Sequence, residues 1–155
     1  MTKFFSFAAV GLFSVAIVGG ALAQQSENPA VKARKSLMSL YAFNISQLGA
    51  MAKGEAEYNA EVAAAAANNL ATLSKVDQSA MWPAGTDNVA DPSSRALPAI
   101  WENFADVGAK GQAFAEAAAA MQAAAGQDLD ALKAAMGPLG GACSACHKAY
   151  RAPKE

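Results

Sequence analysis

Apolar residues in this chain recur in alternating steps of three and four from Pro29 to Tyr150, and nowhere in sustained steps of two. Three-and-four spacing lines one face of an α-helix, whereas a half-buried strand needs strict alternation. A first stripe runs through Val31, Arg34, Met38, Tyr41, Ile45, Leu48 and Ala52. Pro29 stands where the first helical N–H has no partner in any case, and Gly54 is a natural stop. A second stripe is Tyr58, Val62, Ala66, Asn69, Leu73 and Val76. Residues 81–94 contain Pro83, Gly85 and Pro92 and read as a loop. The third helix is predicted from about residues 94–98, through Leu97, Trp101, Phe104, Gly108, Gly111, Phe114, Ala118 and Met121, to Gly126. The fourth starts at Asp128, whose carboxylate suits an N-terminal helix dipole. It carries Leu129, Leu132, Met136, Leu139, Cys143, Cys146 and Tyr150. Pro138 inside it predicts a kink or a short break. Four amphipathic helices, short connections and one longer crossover predict an all-α fold, an antiparallel four-helix bundle.

Composition agrees. The chain is 54% hydrophobic and 16% charged, with alanine dominant, and alanine has the best intrinsic helix propensity. The run Ala63 to Ala67 fits close helix packing or a weakly specified helix. A net charge of −1 without clustered Lys or Arg excludes a nucleic-acid partner.

Residues 1–23 are predicted to be a cleavable export signal: Lys3, the apolar stretch Phe4 to Val18, then Ala21-Leu22-Ala23. The alternative is an uncleaved anchor, because Phe4 to Ala23 nearly suffices to span a bilayer. Gly19, Gly20 and Ala21 before a polar stretch favour cleavage. Residues 24–155 then form one domain, free of the membrane, with a net charge of −2 once Lys3 is lost.

Both cysteines and the only histidine fall within Cys143-Ser144-Ala145-Cys146-His147. A disulfide is the plain reading for an exported pair, but closing so short a loop contributes little. A structural zinc site needs four such ligands, and the chain has three. A thioredoxin-like redox pair needs a βαβ context that is missing. C-x-x-C-H is the attachment signature of c-type haem. Cysteines three apart on a helix share a face, so both thiols reach one porphyrin edge, and the adjacent histidine turns under the ring to the iron.

The sequence resembles the class II cytochromes c, that is, cytochrome c′ and its low-spin c-556-like relatives. The resemblance is carried by Ala33-Arg34-Lys35…Met38, by Ala50-Met51-Ala52-Lys53-Gly54-Glu55 and by Trp82-Pro83-Ala84-Gly85-Thr86. Ala99-Ile100-Trp101 and the run from Cys143 to Arg151, at the C-terminal end, complete it. It implies a periplasmic four-helix bundle with one covalent haem c, tethered by Cys143 and Cys146 and ligated by His147. It also implies redox partner proteins in the periplasm and a homodimer through the first two helices.

The resemblance places Met38 over the distal haem face. The main expectation is a low-spin electron carrier with His147 and Met38 as axial ligands, since a thioether is a soft ligand that suits haem iron. The alternative is a five-coordinate protein that binds nitric oxide or carbon monoxide, with Met38 only filling space. By the same resemblance Arg34 and Lys35 lie beside the haem propionates, and Thr86 and Asp87 near the haem edge. For Lys35 a solvated face, and for Thr86 and Asp87 a turn role, explain the residues equally well. Arg151 lies near the proximal imidazole or neutralises the last helix dipole. Trp101, Phe104 and Tyr150 read as core. No constellation of general acid, base or nucleophile surrounds the motif, so no enzyme is expected.

Overall fold

The structure, a computed structural model, describes residues 27–154. The expected export signal at 1–23 lies outside the described residues. Helix α1 is Pro29–Lys53, α2 Ala60–Leu73, and a single 3₁₀ turn follows at Ser79–Met81. After the loop come α3 (Ala99–Glu102), α4 (Phe104–Ala124) and α5 (Leu129–Tyr150).

Local chemistry sets the ends. Asn28 accepts from the Ala30 N–H at 2.9 Å, Asn59 from Val62 at 3.0 Å, and Asp128 from Ala131 at 2.8 Å. Each satisfies one orphan donor of the first turn. At the other end of α1, Gly54 has φ +75°, and Glu55 donates to the Ala50 carbonyl at 2.9 Å. This left-handed cap favours glycine because a Cβ would crowd the backbone.

The four long helices pack as a closed ring in the order α1, α2, α4, α5. Neighbours run antiparallel. Met51 at the end of α1 meets Asn59 before α2, and Tyr58 donates to the Ala125 carbonyl past α4 at 3.0 Å. Tyr150 near the end of α5 reaches Asp106 near the start of α4. The core is filled by Leu48, Leu70, Met121, Leu132 and Leu139, with buried Ala63, Ala66, Ala67 and Ala118 letting helices approach closely. A Cβ on Gly126 would stand 3.0 Å from the Ala64 Cβ, so the α4–α5 turn also depends on a missing side chain.

The expected stripes hold for most positions and shift at some. On α1 the buried residues are Val31, Arg34, Leu37, Tyr41, Asn44, Leu48 and Met51. Leu37, Asn44 and Met51 were not on the predicted stripe, and Met38 is exposed. The second stripe is off by one residue: Ala63, Ala66, Ala67, Leu70 and Ala71 are buried, while Val62 faces out and Tyr58 and Val76 lie beyond the helix. The third helix is interrupted at Asn103, which has φ −134° and ψ 42° and donates its side-chain amide to the Ala99 carbonyl at 3.1 Å. A short amide that bonds its own backbone competes with helix propagation. Of the kink or short break expected at Pro138, the break does not occur; α5 runs through it. Ala134, Gly137 and Pro138 are all exposed, so the carbonyl left without the proline N–H faces water.

Candidate haem site

The last turns of α5 carry Cys143, Cys146 and His147 between two apolar clusters. Burial pushes up the phenol of Tyr41 in the main core, and a thiolate at the neighbouring Cys143 would push it further. Tyr41 is fixed there by a 3.0 Å bond to the Leu73 carbonyl and an edge-on contact with Phe114, ring centres 4.8 Å apart. Cys146 packs on the second, smaller cluster of Ala96, Ile100 and Tyr150, with Trp82, Trp101 and Val107 around it. The segment Cys143–His147 thus lies where the bundle core ends and this smaller cluster begins.

These residues fit a covalent haem. Both cysteines are free and half-buried, so the disulfide reading does not hold in this structure. Burial pushes both thiols up, which keeps them neutral rather than as the thiolates a bare ion would require. Among the described residues no group of three His, Cys, Asp or Glu side chains is placed to hold an ion. An iron held here must therefore bring most of its own ligands. Burial first, then Arg151 and Arg95, lower the His147 pKa, which favours the neutral imidazole that ligates metal. Facing this end of the bundle, Trp82, Phe104, Val107 and Gly108 line a cavity of about 410 Å³.

Met38 is 38% exposed, yet Val31 and Arg34 before it and Tyr41 after it on the same stripe are buried. It belongs to neither apolar cluster. It therefore lies at the exposed edge of the α1 stripe, next to buried Leu37.

The structure joins two of the other predicted residues, and to the chain itself. Arg34 is buried, and its Nη1 donates to the Met81 carbonyl at 3.1 Å and to Thr86 Oγ1 at 2.8 Å. Its Nη2 donates to the Thr86 carbonyl and, at 2.7 Å, to Ser94 Oγ. The guanidinium also lies 4.8 Å from the Trp82 ring centre. Burial lowers its pKa, while Asp91 and Asp87 oppose the shift. Arg34 is thus the anchor that pins the 81–94 loop to α1. Asp87 caps a turn, accepting from the Val89 and Ala90 N–H groups, and Lys35 pairs with Glu27 at the surface. Ser94 completes the anchor and was missed, because a lone serine beside a proline-rich loop gives no periodic signal.

A helical bundle with a C-x-x-C-H segment on its last helix defines the class: c-type cytochromes of the bundle kind. The cytochrome c′ family model matches residues 29–151, and the chain belongs to that family. Its members carry one covalent haem c per chain. A curated relative, cytochrome c-554 of Cereibacter sphaeroides, is 47% identical over 121 residues, covering 78% of this chain and 79% of the relative. The solved cytochrome c′ from Rhodobacter spheriodes is 42% identical with a TM-score of 0.79, covering 81% of this chain and 96% of that one. A ferrous variant of the Alcaligenes xylosoxidans protein with bound NO is 36% identical with a TM-score of 0.70, covering 81% and 94%. A further cytochrome c′, described by a ligand-controlled dimer dissociation, is 33% identical with a TM-score of 0.73, covering 80% and 95%.

Proposed function

We propose that this chain is an exported monohaem cytochrome, not an enzyme, that takes a small gas, nitric oxide or carbon monoxide, on the haem face opposite His147. The carrying observation is Met38, 38% exposed on α1 beside buried Arg34 and Tyr41 and outside both apolar clusters, so the core does not claim its side chain. The NO-bound relative supports this reading over the low-spin expectation. Cys143 and Cys146 would hold the group through thioethers and His147 would supply the axial nitrogen. When bound, haem iron supplies one-electron redox change and gas coordination. Tyr41 and Phe114 wall the side of Cys143, and the Arg34 anchor keeps the loop closed over the same end.

The second reading, an electron carrier for periplasmic partner proteins with Met38 as sixth ligand, rests on the soft thioether at that position of α1. Visible spectra of the oxidised and reduced holoprotein, before and after carbon monoxide, separate the two. A high-spin spectrum that shifts with carbon monoxide supports gas binding. A low-spin spectrum with a methionine–iron charge-transfer band, unmoved by carbon monoxide, overturns it in favour of Met38 ligation.

Among the described residues no helix is long and apolar enough to cross a membrane. A homodimer through α1 and α2 is supported by exposed Leu40 and Phe43 on α1 and Val62 on α2, and by the dimer of the relative. Sedimentation of Phe43→Glu beside the parent tests it; an unchanged mass overturns it.

A further inference from the structure

Tyr150 follows His147 by three residues and Cys146 by four, so on α5 it shares their face. It is buried in the smaller apolar cluster, on which Cys146 packs. Two other segments hold it. Its carbonyl accepts from the Leu97 N–H at 3.0 Å, on the stretch before α3. Its hydroxyl donates to Asp106 Oδ2 at 2.6 Å, on the first turn of α4. That carboxylate is itself held from one turn further along α4, where Lys110 Nζ stands 3.5 Å from the same oxygen.

A helix end ordinarily frays, because its last carbonyls have no partner within the helix. Here the His147 carbonyl accepts from the Arg151 N–H at 3.1 Å and the Tyr150 carbonyl from Leu97, so the turn that carries the haem motif stays closed. The phenol adds a tie that these backbone bonds lack. It joins the turn to α4, whose Phe104, Val107 and Gly108 line the cavity at this end of the bundle. Packing alone calls for no hydroxyl at this position; a buried tyrosine oxygen needs a partner, and Asp106 is that partner. Asp106 also lies within electrostatic reach of the haem tether. Burial above all pushes the Cys146 thiol up, after which Lys110 lowers it and Asp106 raises it.

We propose that Asp106 is a positioning residue for the proximal haem ligand, acting through Tyr150 to fix the turn that carries His147. Groups one step behind a metal ligand set its orientation and how strongly it donates to the metal. The brace acts on the helical turn and, through it, on the imidazole. A firmly held imidazole nitrogen stabilises ferric over ferrous haem, so the brace lowers the midpoint potential. The inference rests on covalent attachment and on His147 as axial ligand, and it holds whichever role Met38 plays on the opposite face. Failure of the gas-binding reading shows in the parent's spectrum alone, whereas failure of the brace shows only when variants are compared.

Redox titration of the holoprotein and its variants tests the brace, with amide exchange across residues 147–151 measured alongside. Tyr150→Phe and Asp106→Ala should each raise the midpoint potential. Each should also quicken exchange about tenfold, the loss of one charge-assisted hydrogen bond. Asp106→Asn removes the charge but keeps an acceptor for the phenol, and should stay close to the parent in both measurements. Tyr150→Phe combined with Asp106→Ala should shift the potential no further than either alone, because both remove the same bond. Asn59→Ala, which uncaps α2 at the other end of the bundle, should lower stability and leave the potential unchanged. Asp106 is exposed, so its two variants carry the comparison if Tyr150→Phe does not fold. The proposal fails if Asp106→Ala leaves the potential unmoved, or if Asp106→Asn or Asn59→Ala moves it as far as Asp106→Ala does. Additive shifts in the double variant would overturn it too, since two independent effects would then be at work.

Discussion

Arg34 Nη1 and Thr86 Oγ1 are 2.8 Å apart across 52 residues of chain, and the Thr86 hydroxyl passes the bond on to the Pro83 carbonyl at 2.8 Å. Through this pair one side chain of α1 holds a loop that has almost no regular structure of its own. Thr86 and Ser94 are buried; Ser94 Oγ also accepts from the Ala96 N–H at 3.1 Å, whereas the Thr86 carbonyl takes its hydrogen bond from Arg34.

Arg34→Ala should therefore destabilise the fold by about 3 kcal/mol, because it leaves several buried acceptors without a donor. Arg34→Lys should recover only part of this, since an ammonium cannot span the same fork of acceptors. Urea unfolding gives the stabilities, and limited proteolysis within residues 81–94 should quicken in both variants. An Arg34→Ala protein as stable as the parent would show that the anchor contributes nothing.

Tyr150 donates to Asp106 Oδ2 at 2.6 Å, and this bond above all pushes the phenol up to about 12. An unfolded tyrosine titrates near 10. The pair's contribution is thus complete below about pH 10 and is lost as pH rises towards 12. Asp106 is held below the ordinary carboxylate value, chiefly by the same bond, so its contribution is lost as pH falls through the acid range. Denaturant midpoints measured against pH should show a shallower alkaline fall in Tyr150→Phe. Parallel curves for parent and variant would contradict the linkage.

Leu132 is fully buried on α5 in the main cluster. Leu132→Ala removes one methine and two methyl carbons from a close-packed interior and should cost about 3 kcal/mol, read from chemical unfolding. Leu40→Ala, on an exposed site, should change monomer stability by no more than about 0.5 kcal/mol.

Asn44 is buried between α1 and α2, accepts from Asn69 at 3.0 Å and donates to the Leu40 carbonyl at 2.8 Å. Asn44→Ala removes both hydrogen bonds and opens a void, while the exposed Asn69 amide can turn to water, so a loss of about 1 kcal/mol is expected. Asn44→Leu with Asn69→Leu replaces both partners and should be closer to neutral. A double variant that unfolds more readily than the single one would reject this account.

Cys143→Ser and Cys146→Ser should each keep one thioether link, and the double variant none. Haem staining after denaturing electrophoresis and the pyridine haemochrome assay read this directly. Haem retained by the denatured double variant would remove the attachment assignment.

The four long helices, the helix ends at Pro29, Gly54 and Asp128, and the C-x-x-C-H segment were legible in the chain because each is local. A cap needs three or four residues, and a pair of thiols on one helix face needs one turn. The interruption at Asn103 and the continuity through Pro138 were not legible. Both depend on whether a backbone group meets water or a neighbour, which periodicity does not report. Local spacing alone determined that two thiols and a histidine stand together on a helix at the end of the chain. Only tertiary packing decided that Leu37 rather than Met38 enters the core, that Arg34 serves the loop, and that Arg95 comes to lie beside His147. The last follows from backbone pairing between Ala96 and Arg151, a contact between distant segments that forms only once the bundle has brought them to the same end.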